Sequence, residues 1–204
     1  AKACVFPFEY RKGQRELAAM VYTSMKRKEP LYAQAPTGVG KTMSTVFPAV
    51  KAMGEGLADK IFYLTAKTIT RTVAEEAFVT LRERGLILSF VTISARDKLC
   101  VMEERKCDPE YCPRAKGHYD RVNECLYDLL TQESSITREL IELYAESYRV
   151  CPYELSLDVA VWVDAVICDY NYVFDPKVRL KRFFSEQAVH QEYLFLVDEA
   201  HNLI

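Results

Sequence analysis

Leu31-Tyr32-Ala33-Gln34-Ala35-Pro36-Thr37-Gly38-Val39-Gly40-Lys41-Thr42 is the stretch that decides the fold. Its first five residues form a short apolar run of the kind that makes a strand buried on both faces. A glycine-bearing turn follows, and a helix is expected from Lys41. Strand, loop and helix in that order are the context a P-loop requires. Its glycines let backbone N–H groups curl around phosphate oxygens, and the helix N-terminus adds partial positive charge. Lys41 is placed to neutralise the β- and γ-phosphates of a nucleotide, and Thr42 to offer its hydroxyl to Mg²⁺. Ala35 stands where the pattern usually has its first glycine.

On the N-terminal side, residues 11–27 predict an amphipathic helix with Leu17, Met20, Val21 and Met25 on one face. On the C-terminal side, short apolar runs at 60–65, 89–93, 165–168 and 193–197 predict four more buried strands, with a helix over about 68–83. Strands alternating with helices imply an α/β fold with a parallel sheet flanked by helices. The last run ends in Asp198-Glu199. Adjacent acids after a buried strand, downstream of a P-loop, suit the other half of a nucleotide site. Asp198 can hold Mg²⁺, and Glu199 can polarise the attacking water. A plain helix cap would also use an Asp there.

The chain has 204 residues, half of them hydrophobic, enough for one sizeable core. A net charge of −2 rules out a global basic excess, so any nucleic-acid surface is a local patch. No apolar run approaches the ~18–20 residues of a membrane span. The start, Ala1-Lys2-Ala3-Cys4-Val5, lacks the apolar stretch of a signal peptide. A cytoplasmic protein with no membrane partner is the expectation.

Between the second and third runs after the P-loop the pattern changes. Residues 95–160 are dense in charge, with helices expected at about 114–130 and 135–148 and no strand signal. They read as a mainly helical insertion in a sheet domain formed by 1–94 and 161–204. Five of the seven cysteines, Cys100, Cys107, Cys112, Cys125 and Cys151, lie in this stretch. In a reducing compartment such clustering favours metal or cluster ligation over disulfides. Cys125, on an expected helix, and Cys168, in a strand, read as core. His118 reads as a solvated helix residue beside Lys116 and Arg121.

These features resemble the superfamily 2 helicase motors, and more narrowly the XPD/DinG-like DNA helicases that carry a 4Fe–4S insertion. Ala35–Thr42 matches the P-loop and Asp198-Glu199-Ala200-His201 the DEAH box. Arg11-Lys12-Gly13-Gln14 looks like the Q-motif-like element, in which Gln14 would recognise adenine. Leu64-Thr65-Ala66-Lys67-Thr68 matches motif Ia, which grips the DNA backbone. The resemblance implies ATP contacts at Arg11, Gln14, Thr37, Gly38, Val39, Gly40, Lys41 and Thr42, with Lys41, Asp198 and Glu199 catalytic. It implies Mg²⁺ on Thr42 and Asp198, and DNA contacts at Thr65, Lys67, Arg71 and Arg96. His201 would couple the nucleotide site to later motifs.

The cluster ligands implied are Cys100, after Lys98-Leu99, Cys107, Cys112 and Cys151, before Pro152-Tyr153. The intervals between them are six, four and thirty-eight residues, unlike a compact ferredoxin run. Four thiolates also suit zinc. The resemblance further implies ATP-dependent, 5′ to 3′ action on single-stranded or forked DNA, commonly in repair. It implies a second motor domain and an arch that this chain does not carry, so unwinding by the chain alone is not expected. Two alternatives stand beside it. One is a P-loop regulatory or binding module with a structural four-cysteine zinc site. The other is a DEAH-box RNA remodeller, but those motors lack a four-cysteine insertion. Tyr170, Tyr172 and Phe174 can stack on bases but read as core.

Overall fold

A computed structural model describes every residue except Lys2, Thr37, His190 and Ile204. Four of the apolar runs become strands: β1 (Lys60–Leu64), β2 (Phe90–Thr92), β4 (Ala165–Cys168) and β5 (Tyr193–Val197). With β3 (Ser135–Ile136) they form one parallel sheet in the order β3-β2-β4-β1-β5. Central β1 and β4 are buried at every position, which is why both read as unbroken apolar runs rather than alternating ones. Alternate residues still serve different cores. Phe62, Leu64, Val91, Ile93, Val166 and Cys168 enter one, and Ile61, Tyr63, Phe90, Ala165, Ile167 and Leu196 the other.

The second core is closed by α2 (Lys41–Gly54) and α3 (Thr68–Glu83), through Met43, Val46, Ala49, Val50, Ala74, Phe78 and Leu81. Helix α1 (Gln14–Arg27) packs on α2. It buries Leu17, Ala18 and Val21, while Met20, expected on that face, is turned outward at 49% exposure. The first core is closed by the cysteine-bearing stretch. This comprises α4 (Arg96–Leu99), α5 (His118–Gln132), α6 (Arg138–Tyr148) and α7 (Pro152–Trp162). Short α8 (Asn171–Phe174), α9 (Lys181–Phe184) and a 3₁₀ turn (Ala200–Leu203) complete the chain.

Two expectations are corrected. The strand over 31–35 does not form: the segment makes no ladder, and Tyr32 is 90% exposed. A strand exists only through its partners, and among the described residues the sheet ends at β5. Apolar composition alone could not supply the missing neighbour. Conversely, the insertion does hold a strand. Ser135 and Ile136 pair with Phe90 and Val91, so the insertion extends the sheet as well as covering it. Two residues are too few for a periodic signal.

Lys60, at the start of β1, is nearly buried and donates from Nζ to the carbonyls of Ala160, Val161 and Val163. It thereby satisfies the open carbonyl end of α7 and ties the insertion's last helix to the sheet. Burial pulls its ammonium down to about 8, against partial support from Asp164. The unfolded chain therefore holds this proton over a window, from about 8 to the ordinary lysine value, in which the folded chain has released it. Stability rises with pH across that window, by on the order of 2 kcal/mol. Denaturant melts of wild type and Lys60→Met at pH 7.5 and 9.5 should show the wild-type advantage growing at the higher pH. A constant difference would mean the buried ammonium is not titrating. Among the described residues no helix is long and apolar enough to cross a membrane.

Candidate nucleotide site and cysteine cluster

Parallel sheets present loops at the C-terminal ends of their strands, and the candidate site lies along that edge. Gly38 and Gly40 have φ of +83° and +78°, and Gly40 caps the start of α2. A side chain at Gly40 would be doubly excluded, by the left-handed backbone and by Gln14 Nε2, 2.5 Å from where its Cβ would lie. Gln14 is buried. Its Nε2 donates to the Gly40 carbonyl at 3.3 Å, and its Oε1 accepts from the Arg11 amide at 3.0 Å. The Arg11 guanidinium donates to the Gly38 carbonyl. The Arg11–Gln14 element is thus fastened to the loop itself. Lys41 Nζ crosses the loop to the Ala35 carbonyl at 3.3 Å. Thr37, a sequence-based nucleotide contact, lies outside the described residues. Val39 is in the turn beside the two glycines.

The acids arrive from β5. The Asp198 amide donates to the Leu64 carbonyl at 3.0 Å, continuing the β1–β5 ladder one residue past the strand. Tyr63, buried in β1, brings its hydroxyl beside the side chains of both Thr42 and Asp198. Burial, first, and Asp198 beside it push that phenol above its usual range. The two sequence motifs, 156 positions apart, are therefore neighbours around one hydroxyl. Tyr170, also buried, donates to the Asp198 carbonyl and, at 3.5 Å, to that of Glu199. This fixes a backbone that at Glu199 takes the left-handed φ of +54°, unusual for a residue with a side chain.

Glu199 forms an ion pair with Lys67 at 3.2 Å. That hydrogen bond, with the charges of Lys67, His201 and Lys41, holds its carboxyl below the usual range. His201 Nε2 stands 3.6 Å from the same carboxylate. Of the expected DNA contacts, Lys67 thus faces the nucleotide side. Thr65 is buried with its hydroxyl on Thr70, while Arg96 stacks on the Tyr153 ring at 4.6 Å and pairs with Glu154 at 3.6 Å. Arg71 is half-buried on α3. Tyr170 and Tyr172 are core, as read from sequence, but Phe174 is 52% exposed. Tyr63 and Tyr170 were missed as site residues. The only signal was a polar tip, inside an apolar run at Tyr63 and just after one at Tyr170.

In the insertion, Cys100 follows α4, Cys151 caps α7, Cys112 is buried and Cys107 exposed. Cys100 and Pro152 border one cavity of about 220 Å³. Burial pushes the Cys151 thiol up, the first amides of α7 pull it down, and nearby Cys112 raises it further. Thiol donors beside a helix N-terminus fit an anionic cluster or a thiolate-bound metal in chemistry. They are not gathered into a cage, since among the described residues no three His, Cys, Asp or Glu side chains are grouped as a metal site. Cys125 and Cys168 are fully buried core, and burial pushes the Cys125 thiol up to about 12. His118 is corrected: it is buried, not solvated, and its Nδ1 accepts from the Cys151 amide at 3.3 Å. Left-handed Gly117 turns the chain so that α5 starts against α7. Arg114 and Arg121 satisfy carbonyls at the end of α6.

Comparison with known proteins follows the same lines. The regulator of telomere elongation helicase 1 homolog of Caenorhabditis elegans is 24% identical over 244 residues, covering 97% of this chain and 24% of the relative. The human regulator of telomere elongation helicase 1 is 23% identical, with 97% and 20% covered. A probable ATP-dependent helicase of Methanocaldococcus jannaschii is 24% identical, with 97% and 29% covered. The chain thus spans about a quarter of the length of these relatives. Two solved structures, described as an XPD helicase and a truncated XPD, superpose with TM-scores of 0.58 and 0.60 at 20% identity. They match 95% and 92% of this chain and 33% and 52% of theirs, and they share its RecA-like motor fold. The family model DEAD_2 matches residues 65–204, from the end of β1 through the paired acids, and the chain belongs to the DEAD_2 family.

Proposed function

We propose that this chain is the ATP-binding motor domain of an ATP-dependent DNA helicase. Residues 1–94 and 161–204 would form the motor, and 95–160 an insertion carrying a 4Fe–4S cluster. The observation that carries the reading is the meeting of Thr42 and Asp198 at the Tyr63 hydroxyl, with Lys41 and Glu199 alongside. Those four groups are what phosphoryl transfer to water needs: a cation for the phosphates, two Mg²⁺ ligands and a carboxylate for the water. Thr42 and Asp198 would hold Mg²⁺, which when bound supplies charge neutralisation to the phosphates. Lys41 leaves the Ala35 carbonyl for the β- and γ-phosphates, and Glu199 orients the attacking water. Gln14 would read adenine from the position where it already braces Gly40. The relatives' helicase names and the family resemblance support DNA, single-stranded or forked, as the partner, with a second motor domain closing the cleft. The 5′ to 3′ direction, a repair setting and a cytoplasmic location rest on the family resemblance.

Titration of the chain with Mg-ATP tests the motor. Saturable binding that needs Mg²⁺ is expected, and none at millimolar nucleotide would refute it. Iron and acid-labile sulfide on anaerobically purified protein test the insertion. Cys100, Cys107, Cys112 and Cys151 would hold the cluster, which when bound supplies a rigid anionic cross-link among the loops. Iron and sulfide in equal amounts, near four each per chain, are the expected result. Zinc without sulfide would favour the second reading, a four-cysteine structural zinc site in a nucleotide-dependent binding module, which the same donor set supports. Cys112→Ser should lose the iron and loosen 95–155 toward proteolysis while the far-ultraviolet dichroism of the sheet domain persists. Full iron in that variant would mean the ligand set is wrong.

A further inference from the structure

Lys67, expected from the sequence to touch DNA, is spent by the structure on the nucleotide side. It lies just past the end of β1 and caps the start of α3. Its carbonyl accepts from the Arg71 amide at 3.1 Å and from the Thr70 hydroxyl at 3.0 Å, which fixes its backbone. From that base the side chain reaches the Glu199 carboxylate at 3.2 Å, the only ion pair of Lys67 among the described residues. The backbone that carries Glu199 is fixed as well. Its carbonyl accepts from the Asn202 amide at 2.9 Å and from Asn202 Nδ2 at 3.0 Å, and Tyr170 holds the carbonyl of Asp198 before it.

Two carboxylates in a site for a polyanion repel the ligand unless each is offset. Asp198 would have Mg²⁺ for this in the function proposed above. Glu199 would have no such ion, and its work lies beside the last phosphate, where the attacking water enters. The Lys41 ammonium sits within the loop, on the Ala35 carbonyl at 3.3 Å. His201 Nε2 stands 3.6 Å from Glu199, but a histidine carries charge only when protonated. Lys67 is left as the standing countercharge. Among Lys41, Lys67, Asp198 and Glu199 two cations balance two anions, and removing Lys67 tips that balance to negative beside Glu199.

We infer that Lys67 is the residue by which this site tells a nucleoside triphosphate from a diphosphate. Its ammonium offsets Glu199 and so admits the terminal phosphate, the one group that ATP has and ADP lacks. A diphosphate ends short of Glu199 and gains nothing from the pair. The inference rests on the motor reading above and adds to its nucleotide site a residue that the family resemblance gives to DNA. It requires an effect that depends on the number of phosphates, which an ion pair that only braced the fold would not produce.

Calorimetric titration of the chain with Mg²⁺ and the non-hydrolysable β,γ-imido analogue of ATP, and separately with Mg-ADP, tests this. The Lys67 side chain is 61% exposed, so substitutions there leave the core untouched. Lys67→Met should weaken the triphosphate about three- to tenfold and leave ADP within about twofold. Lys67→Arg, which keeps the charge, should restore the wild-type preference. Lys67→Met combined with Glu199→Gln should bind the triphosphate better than Lys67→Met alone, because the uncompensated carboxylate is gone. Equal loss for both nucleotides, or none for either, would overturn the role of Lys67 and leave the P-loop reading standing. An arginine variant as weak as the methionine one would do the same. Wild type that binds neither nucleotide would overturn the motor reading, and this inference with it.

Discussion

Lys41→Ala abolishes nucleotide binding at concentrations that saturate the wild type: affinity for Mg-ATP should fall on the order of a hundredfold or more. The loop is already shaped for its ligand, with Gly38 and Gly40 in the left-handed region and Arg11 and Gln14 fastened to their carbonyls. What it lacks without Lys41 is charge. The Lys41 ammonium is parked on the Ala35 carbonyl, across the space the phosphates would fill. Charge-assisted hydrogen bonds contribute about 1.5–3 kcal/mol each, and one lysine reaching two phosphates loses two of them. At about 1.4 kcal/mol per tenfold, the low end of that range is a hundredfold. Alanine is a good helix former, so α2 should keep its start. Calorimetric titration reads the result, with a thermal melt as the fold control. Unchanged affinity in a folded variant would refute the P-loop assignment.

Phe62→Ala should cost the fold roughly 3–5 kcal/mol, the range for deleting a buried phenylalanine. Phe62 is fully buried in β1 and its ring lies 5.3 Å from those of Phe183, Phe184 and Tyr193 and 5.6 Å from that of Phe195. Edge-to-face and stacked arrangements of this kind add to the area each ring buries. The cluster joins α9 to β1 and β5, so a cavity there loosens the strand that delivers Asp198. For a chain of this size the melting temperature should drop by roughly 10 °C. Phe62→Leu, which keeps most of the volume, should lose much less. A drop below about 3 °C for the alanine variant would mean the rings repack around the gap.

Legibility in the sequence followed physical cause. Runs whose burial is set by their own composition were readable, and β1, β4 and β5 fall where Ile61, Val166 and Leu196 place them. Leu31–Ala35 has equal apolar character, yet being a strand depends on a neighbour, and no local pattern reports a neighbour. Ser135-Ile136 shows the reverse, since pairing with β2 makes a strand of residues that carry no periodicity. In the site, glycines, Lys41 and the paired acids were legible because their chemistry is scarce and their spacing local. Tyr63 and Tyr170 were not, because an aromatic in or just after an apolar run reads as packing. His118 misled for a related reason. Its neighbours Lys116 and Arg121 suggested water, while Gly117 turned the ring inward onto α7.

The two ends of the sheet are unlike. At one, β3 is only two residues long, and short edges offer little to an incoming strand. At the other, β5 runs five residues, with Phe195 42% exposed and no strand beyond it among the described residues. Self-association through unsatisfied backbone therefore has a single sticky side. Two copies joined by that side about a twofold axis use it up. A pair of that kind would present only the short β3 edges outward.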